Sequence, residues 1–549
     1  MTRHPFPYEC DPQFARPAAY FSMEFAIDQS LKIYSGGLGF LAGSHMRSAY
    51  DLKQNMTGIG ILWKYGYYDQ DRNRDGSLRV NYVQKDYYFL EETDIRFTIE
   101  IHRHPVHVKV WLLKPEVFGT APIYLLSTDM PENDFLAQTI THRLYDNHES
   151  ARIAQSILLG AGGARLLEIL GREPEVYHMN EGHALPLCFH LLNKFNGDLE
   201  EVRKRVVFTT HTPEAAGNEE HSIPSLEVMG FFQGASPETV RELAADDRTF
   251  NYTLAALRMS RRSNGVSKLH GEVSRAMWKD HAGICPIIHI TNAQNHRFWM
   301  DPQLAEHHRN NDSEGLRERK KEMKRDLFRH VADQTGRIFS EDIITIVWAR
   351  RFAAYKRADL LLNDFLRFRK IVTRTEHPVQ IIWAGKPYPE DQGSIARFNE
   401  IFYRTKEFPN CAVLTGYEVG LSGLLKRGSD VWLNNPKMFR EASGTSGMTA
   451  AMNGSINLSI PDGWMPEFAK DGENCFVVNH VNPEGRTQEE IDTLEASNLY
   501  SVLENEVLPT YYDKPAKWSR IMMKAMTDIL PAFGSDRMAM EYYENLYKP

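Results

Sequence analysis

The chain has 549 residues, 42% of them hydrophobic and 25% charged, with a formal net charge of −8. These are the proportions of an ordinary globular protein long enough for two or three cores. The acidic balance excludes a nucleic-acid partner attracted by overall charge, and no apolar run nears the ~20 residues of a membrane-spanning helix. Five scattered cysteines form neither a disulfide framework nor a CxxC metal pair. No metal is therefore expected, and a reducing cytoplasm is. Met1 to Pro7 lacks the apolar core of a secretory signal.

Short apolar runs alternate with longer amphipathic stretches, which predicts an α/β fold. The first motif is Tyr34-Ser35-Gly36-Gly37-Leu38-Gly39-Phe40-Leu41-Ala42-Gly43. Closely spaced glycines before a helical run let the backbone approach a phosphate, with the helix N-terminus adding positive dipole. A plain structural turn is the alternative. In Pro105 to Leu113, Val106, Val108 and Val110 alternate with His107 and Lys109, as in a half-buried strand. Glu149 to Leu170 carries helical spacing. In Tyr177 to His183, His178 and His183 have no third ligand at a metal-binding interval, so hydrogen bonding is expected. Arg205 to Thr209 predicts a strand with His211 just past its end; a lone histidine is more often structural, and the strand-end position raises the odds of function without deciding between them.

Asp301 to Lys324, the most polar long stretch, predicts a solvated helix and connector at a domain boundary. Ile343 to Trp348 and Val379 to Ala384 have the near-continuous apolarity of parallel strands covered on both faces. Arg350-Arg351-Phe352-Ala353-Ala354-Tyr355-Lys356-Arg357 follows the first of them. Cations at the carboxyl end of a central strand stand where open α/β sheets bind ligands. Arginine supplies a planar donor fork for phosphate and lysine a compact charge. Helical spacing resumes over Ala358 to Val372. After the apolar strand Val431-Trp432-Leu433 comes Arg440 to Gly454, where Glu441 stands among small hydroxyl residues and glycines. Such a segment brings backbone N–H groups to an anion while its acid grips a polar ligand.

Taken in order, these blocks resemble the α-glucan (glycogen, starch, maltodextrin) phosphorylases in their short microbial form. The likeness runs from about Tyr20 to Val478. It includes Ser22-Met23-Glu24-Phe25, Ile33 to Gly43, Tyr177 to His183, Phe208 to Pro213, Ile290-Thr291-Asn292, Arg350 to Arg357, Ala384-Gly385-Lys386 and Asp430 to Gly454. The resemblance implies a GT-B architecture, two Rossmann-like domains facing a central cleft. Residues 1–298 would form the acceptor-side domain with the glycine loop and 299–525 the phosphate- and donor-binding domain. Residues 526–549 would form a C-terminal helix packing back on the first. The implied reaction is retaining transfer of an α-glucosyl unit between phosphate and the non-reducing end of an α-1,4-glucan.

Residue by residue, the resemblance makes Glu441 the acid on the glucosyl hydroxyls, aided by Ser443 and Gly444, with Asn292 also on the sugar. His211 holds the 6-hydroxyl and turns its main-chain carbonyl to the anomeric carbon, where oxocarbenium charge develops. Arg351 and Lys356 clamp the substrate phosphate, and Gly36, Gly37 and Leu38 approach it. Thr445 and Tyr355 fall in the cofactor site of pyridoxal phosphate. The implied partners are an α-glucan or maltooligosaccharide with phosphate or glucose 1-phosphate, and a homodimer is compatible with the likeness.

The chain departs from the family at Thr449, eighth after Glu441, where a lysine forms the Schiff base. A hydroxyl cannot form an imine, so any pyridoxal phosphate is expected to be held without a covalent link. Ser44, where relatives usually have Asp, and Asn218, where the short forms often have His, depart as well. Two alternatives stay open. One is a glycogen- or starch-synthase-like transferase using a nucleoside diphosphate glucose; the other is a pseudoenzyme that only binds glucan.

Overall fold

A computed structural model describes residues 6–214, 217–244 and 246–548. Met1 to Pro5, which carry most of the segment read for a secretory signal, lie outside the described residues. The chain divides into two compact units. The first comprises Met1–Tyr68, Tyr82–Asn292 and Ser535–Pro549; the second comprises Asp69–Asn81 and Ala293–Gly534. Both are α/β, built on large and mainly parallel sheets. Among the described residues no helix is long and apolar enough to cross a membrane.

The first unit is centred on nine strands: β1 (Ala18–Phe21), β2 (Met56–Ile61), β3 (Glu91–Ile101), β4 (His104–Leu113), β5 (Ile123–Ser127), β6 (Val176–Asn180), β7 (Val206–Thr209), β8 (Arg262–Gly265) and β9 (Ile287–His289). Their order across the sheet is β9-β8-β7-β6-β1-β2-β5-β4-β3. The seven strands from β9 to β5 run parallel, and β4 and β3 close the edge antiparallel. Strand order reverses between β1 and β6, a switch point of the kind that opens a crevice at the carboxyl ends of the strands. The alternation in Pro105 to Leu113 becomes β4, whose valines at 106, 108 and 110 are buried. The helical spacing of Glu149 to Leu170 becomes helix from Glu149 to Ile169, widened to π geometry over Leu158–Gly162. Gly160 explains the close approach there: a Cβ at this position would lie 2.5 Å from the Ala184 carbonyl oxygen.

The second unit holds six parallel strands: β10 (Ile344–Ala349), β11 (Val379–Ala384), β12 (Cys411–Leu414), β13 (Val431–Asn434), β14 (Ile456–Ser459) and β15 (Cys475–Val477). Their order is β12-β11-β10-β13-β14-β15. Counted within the unit this is 3-2-1-4-5-6, the doubly wound order, with its switch point between β10 and β13. Ile344, Ile346 and Trp348 face one apolar core and Val347 and Ala349 another, so β10 is covered on both faces as its composition predicts. The hairpin of Asp69–Arg72 and Leu78–Asn81 belongs to this unit. Its Gln70 amide donates to the Gly385 carbonyl at 2.8 Å, and Arg72 stacks on Phe402 at 4.3 Å.

Two expectations are corrected. Over Ala358 to Val372 only Phe365–Val372 is α-helix, capped by Asp364; Leu360–Leu362 is a 3-10 turn. Asp301 to Lys324 is not a plain solvated helix. It forms Pro302–Arg309 and the start of Ser313–Thr335, and the second helix buries Lys320 and Lys324. The Lys324 ammonium meets the Asp430 carboxylate at 2.5 Å. Lys320 donates to the carbonyls of Arg427 and Asn453 and to Ser455 Oγ at 2.7 to 3.0 Å. A buried ammonium is tolerable only with such partners.

Candidate active site

In the second unit the loops leaving β10 and β13 meet at the switch point. Arg350 follows β10 and is the inward member of the arginine pair. Its guanidinium donates to Glu441 Oε2 at 2.8 Å and to the Asn434 amide oxygen at the end of β13. Lys356, in the 3-10 turn Ala354–Lys356, donates to the two oxygens of the same carboxylate at 3.0 and 3.2 Å. All three charged groups are buried. Burial alone would raise the Glu441 carboxyl, but the charges of Arg350 and Lys356 overcome it and hold the group below its ordinary range. Arg351 is exposed, and Tyr355 lies half-buried beside Lys356, its ring centroid 5.0 Å from the ammonium. Arg357 serves the backbone instead. It bonds the Asn435 and Pro436 carbonyls and pairs with Asp492 and Glu495, fixing the loop after β13.

The Glu441 loop is shaped by close backbone approaches. Gly444 has φ +91, and a Cβ there would stand 3.3 Å from the Arg350 guanidinium. Gly463 has φ +62, and a Cβ there would fall 2.2 Å from the Ser443 carbonyl oxygen. Only glycine takes both the conformation and the contact. Asp462 accepts from the amides of Arg440, Glu441 and Gly463 at 2.8 to 3.0 Å. Burial, with the nearby Glu441 charge, pushes its carboxyl up to about 6 despite those bonds. Ser443 Oγ is buried without a hydrogen-bond partner among the described residues. Thr445 leads into the helix Ser446–Met452.

In the first unit, His211 stands past β7 and Asn180 ends β6, both beside the switch point. The Asn180 amide nitrogen donates to Ser22 Oγ at 3.1 Å, which leaves its oxygen to face His211 Nε2 at 2.7 Å. The network therefore places the imidazole proton on Nε2 and leaves Nδ1 as an acceptor. Burial, then the neighbouring His270 and His183, pushes the His211 pKa down to about 3, so the ring is neutral. Glu181, at φ +74, accepts from the His211 amide and from Thr212 Oγ1. That backbone conformation costs roughly 1–3 kcal/mol in a non-glycine residue. Asn292 is buried, and its Oδ1 has no partner among the described residues.

The glycine loop is bound internally. Glu24 accepts from the Ser35 and Gly36 amides at 2.6 and 3.1 Å, from Ser35 Oγ at 2.9 Å and from Tyr145 at 2.6 Å. Open space faces Gly36 and Gly37, where an added Cβ would meet nothing within 4 Å. Gly37 and Leu38 open the helix Gly37–Asp51, whose first-turn amides lack intrahelical acceptors. The sequence pattern assigns no role to Arg350, Asn180, Glu181 or Glu24, and the structure ties each to a residue that has one. Of the two lesser departures, Ser44 is buried in the helix Gly37–Asp51, and the Asn218 amide donates to the Glu214 carbonyl at 3.1 Å.

No family model matches the chain. It is 46% identical to an uncharacterized protein of Methanocaldococcus jannaschii, over 97% of this chain and 100% of that protein. It is 34% identical to a maltodextrin phosphorylase of Thermococcus litoralis, over 98% of this chain and 71% of the relative. A glycogen phosphorylase of Aquifex aeolicus is 32% identical over 100% of this chain and 88% of its own length. The chain belongs to the glycogen and maltodextrin phosphorylase family.

Membership makes the helix Ser446–Met452 the test of cofactor fit. Thr449 is buried, and its hydroxyl donates to the Ser446 carbonyl at 3.0 Å. It offers no amine, and its one proton is already committed within the helix. The buried amines of Lys320 and Lys324 have the partners described above, and that of Lys426 stacks 3.8 Å from the Trp299 ring centroid. The residues at this helix do not fit an imine-linked pyridoxal phosphate. Among the described residues, no group of three or more His, Cys, Asp or Glu is arranged to hold a metal ion.

Proposed function

We propose that the chain is a retaining α-glucosyltransferase exchanging an α-1,4-linked glucosyl unit between glucan non-reducing ends and phosphate, as glucose 1-phosphate. The observation that carries this reading is the buried carboxylate of Glu441 shared by Arg350 and Lys356, with Arg351 beside them, at a switch point. Two cations on one acid leave positive charge for an incoming phosphate, and the acid can turn to sugar hydroxyls. Relatives named for glycogen and maltodextrin support the glucan. We read the two units as the two domains of a GT-B transferase.

In this reading Arg351 and Lys356 hold phosphate while Glu441, Ser443 and Asn292 hold the glucosyl unit. Phosphate oxygen bonds to the anomeric carbon as the glycosidic oxygen leaves with a proton from phosphate. The His211 carbonyl faces the oxocarbenium charge between those events, and the neutral imidazole accepts from the 6-hydroxyl at Nδ1. Any pyridoxal phosphate is held non-covalently, with Thr445 and Tyr355 among its contacts, and no step above runs through it.

One observation favours a second reading. Thr449 removes the amine a phosphorylase uses, and a transferase taking a nucleoside diphosphate glucose needs none. In that case Arg351 and Lys356 neutralise the departing diphosphate. A donor screen with a maltooligosaccharide acceptor separates the two. Glucose 1-phosphate, with and without added pyridoxal phosphate, is compared with UDP- and ADP-glucose. Release of orthophosphate is expected; release of nucleoside diphosphate alone would replace the first reading with the second.

A further inference from the structure

His211 leaves β7 through a turn whose main chain is pinned from both sides. The register of β6 on β7 pairs Asn180 with Thr209, so the next pair along would be Glu181 and Thr210. The Glu181 amide keeps to that pattern and donates to the Thr209 carbonyl at 2.9 Å. In a regular parallel ladder the Glu181 carbonyl would then accept from the His211 amide. Here the side chain takes that place. Glu181 adopts φ +74 and ψ 170, a region that is essentially glycine's alone, and its carboxylate Oε1 accepts from the His211 amide.

The same Oε1 accepts from Thr212 Oγ1 at 3.3 Å, and Oε2 accepts from the Gly182 amide at 3.3 Å. On the far side of His211, the Thr212 amide donates to Thr210 Oγ1 at 3.3 Å. That amide and the His211 carbonyl belong to one trans peptide and point opposite ways, so the carbonyl is turned away from the buried Thr210 hydroxyl. The His211 ring is held separately, by Asn180. Ring and main chain therefore answer to different residues.

A backbone acceptor would satisfy the His211 amide without strain, so pairing alone does not account for Glu181. A charged acceptor grips an amide about twice as strongly as a neutral one, which suits a main chain that must not turn. We propose that Glu181 is a positioning residue for sugar transfer: its carboxylate sets the main chain at His211 so that the carbonyl faces the anomeric carbon. This rests on the role given to His211 in the proposed function. The strained backbone at Glu181 is what brings the carboxylate, rather than the carbonyl, to the His211 amide.

Steady-state transfer by the full chain, with glucose 1-phosphate or whichever nucleotide glucose the parent consumes, tests this on Glu181 variants. Glu181→Ala should lower kcat about 100-fold while KM for donor and maltooligosaccharide stays within about twofold. Glu181→Gln keeps an oxygen acceptor without the charge and should recover about tenfold of that loss. Glu181→Gly relieves the backbone, so it should melt no lower than Glu181→Ala and yet turn over as slowly. A raised KM for maltooligosaccharide with kcat kept would make Glu181 an acceptor contact and overturn the proposal. So would variants that melt lower with kcat per folded enzyme unchanged. A parent that releases nucleoside diphosphate and no orthophosphate removes the phosphate reading alone, and the variants still decide the role of Glu181; a parent idle with every donor overturns both.

Discussion

Both units set their polar clusters at the switch point of a parallel sheet, yet the clusters are held by different forces. Around Glu441 the bonds are ionic, with one carboxylate shared by a guanidinium and an ammonium. On the His211 ring they are neutral, an imidazole on an amide on a serine hydroxyl, while the Glu181 carboxylate holds the backbone amide. Ionic contacts are exchangeable, since Lys356 can trade a carboxylate for a phosphate oxygen at little net change in charge pairing. A chain of neutral hydrogen bonds fixes orientation and tautomer instead. On the proposed function, the ionic cluster of the second unit is the one suited to exchange partners with a phosphate, and the neutral chain of the first is the one suited to orient His211.

The strongest way to break this contrast is Glu441→Gln. Sugar transfer should fall about 1,000-fold. Chemical denaturation should show a loss of about 3 kcal/mol, because Arg350 and Lys356 are left buried without their partner. Next comes the arginine pair. Arg351→Ala should cost about 100-fold in turnover while stability stays within about 0.5 kcal/mol, since the side chain is exposed. Arg350→Ala should lose stability as well, which steady-state kinetics and a melting curve on the same preparations will show. If the two variants behaved alike, the separation between an inward structural cation and an outward binding cation would fail.

Smaller effects are expected in the neutral cluster. Asn180→Ala removes the acceptor that fixes His211 Nε2–H and should lower kcat about tenfold at a stability cost near 1 kcal/mol. The last test concerns pH. Burial holds His45 at about 3 and His270 at about 4, against 6.5 for a free imidazole. Below pH 6.5 the unfolded chain takes up protons that these folded rings refuse, so stability falls as pH drops towards 4. The slope is about 1.4 kcal/mol per pH unit for each ring. Urea midpoints measured from pH 7 to 4.5 should show it, and His45→Phe should flatten it by one ring's share.

Much of this was legible because apolar strands are followed at once by polar residues. β7, β10 and β11 stood out as apolar runs, and His211 and the arginine motif followed from their ends. Which of Arg350 and Arg351 turns inward was not legible, because neighbouring side chains leaving a strand point to opposite faces and the strand's register decides. The hold of Glu24 on the glycine loop, and of Asp462 on the Glu441 turn, depends on approaches across 11 and 21 residues that composition does not encode. The burial of Lys324 was hidden for the same reason: its partner Asp430 lies 106 residues on. Helical spacing misled over Ala358 to Val372, where Asp359 and Asp364 act as turn and cap residues and halve the helix.

A crystal structure of the chain with glucose 1-phosphate and a maltooligosaccharide would probe the exchangeable carboxylate most directly. Sugar hydroxyls should lie on Glu441, with Lys356 moved from that carboxylate to the phosphate and Arg351 folded onto it. Phosphate bound elsewhere, with Lys356 still on Glu441 and Arg351 turned to solvent, would contradict the assignment.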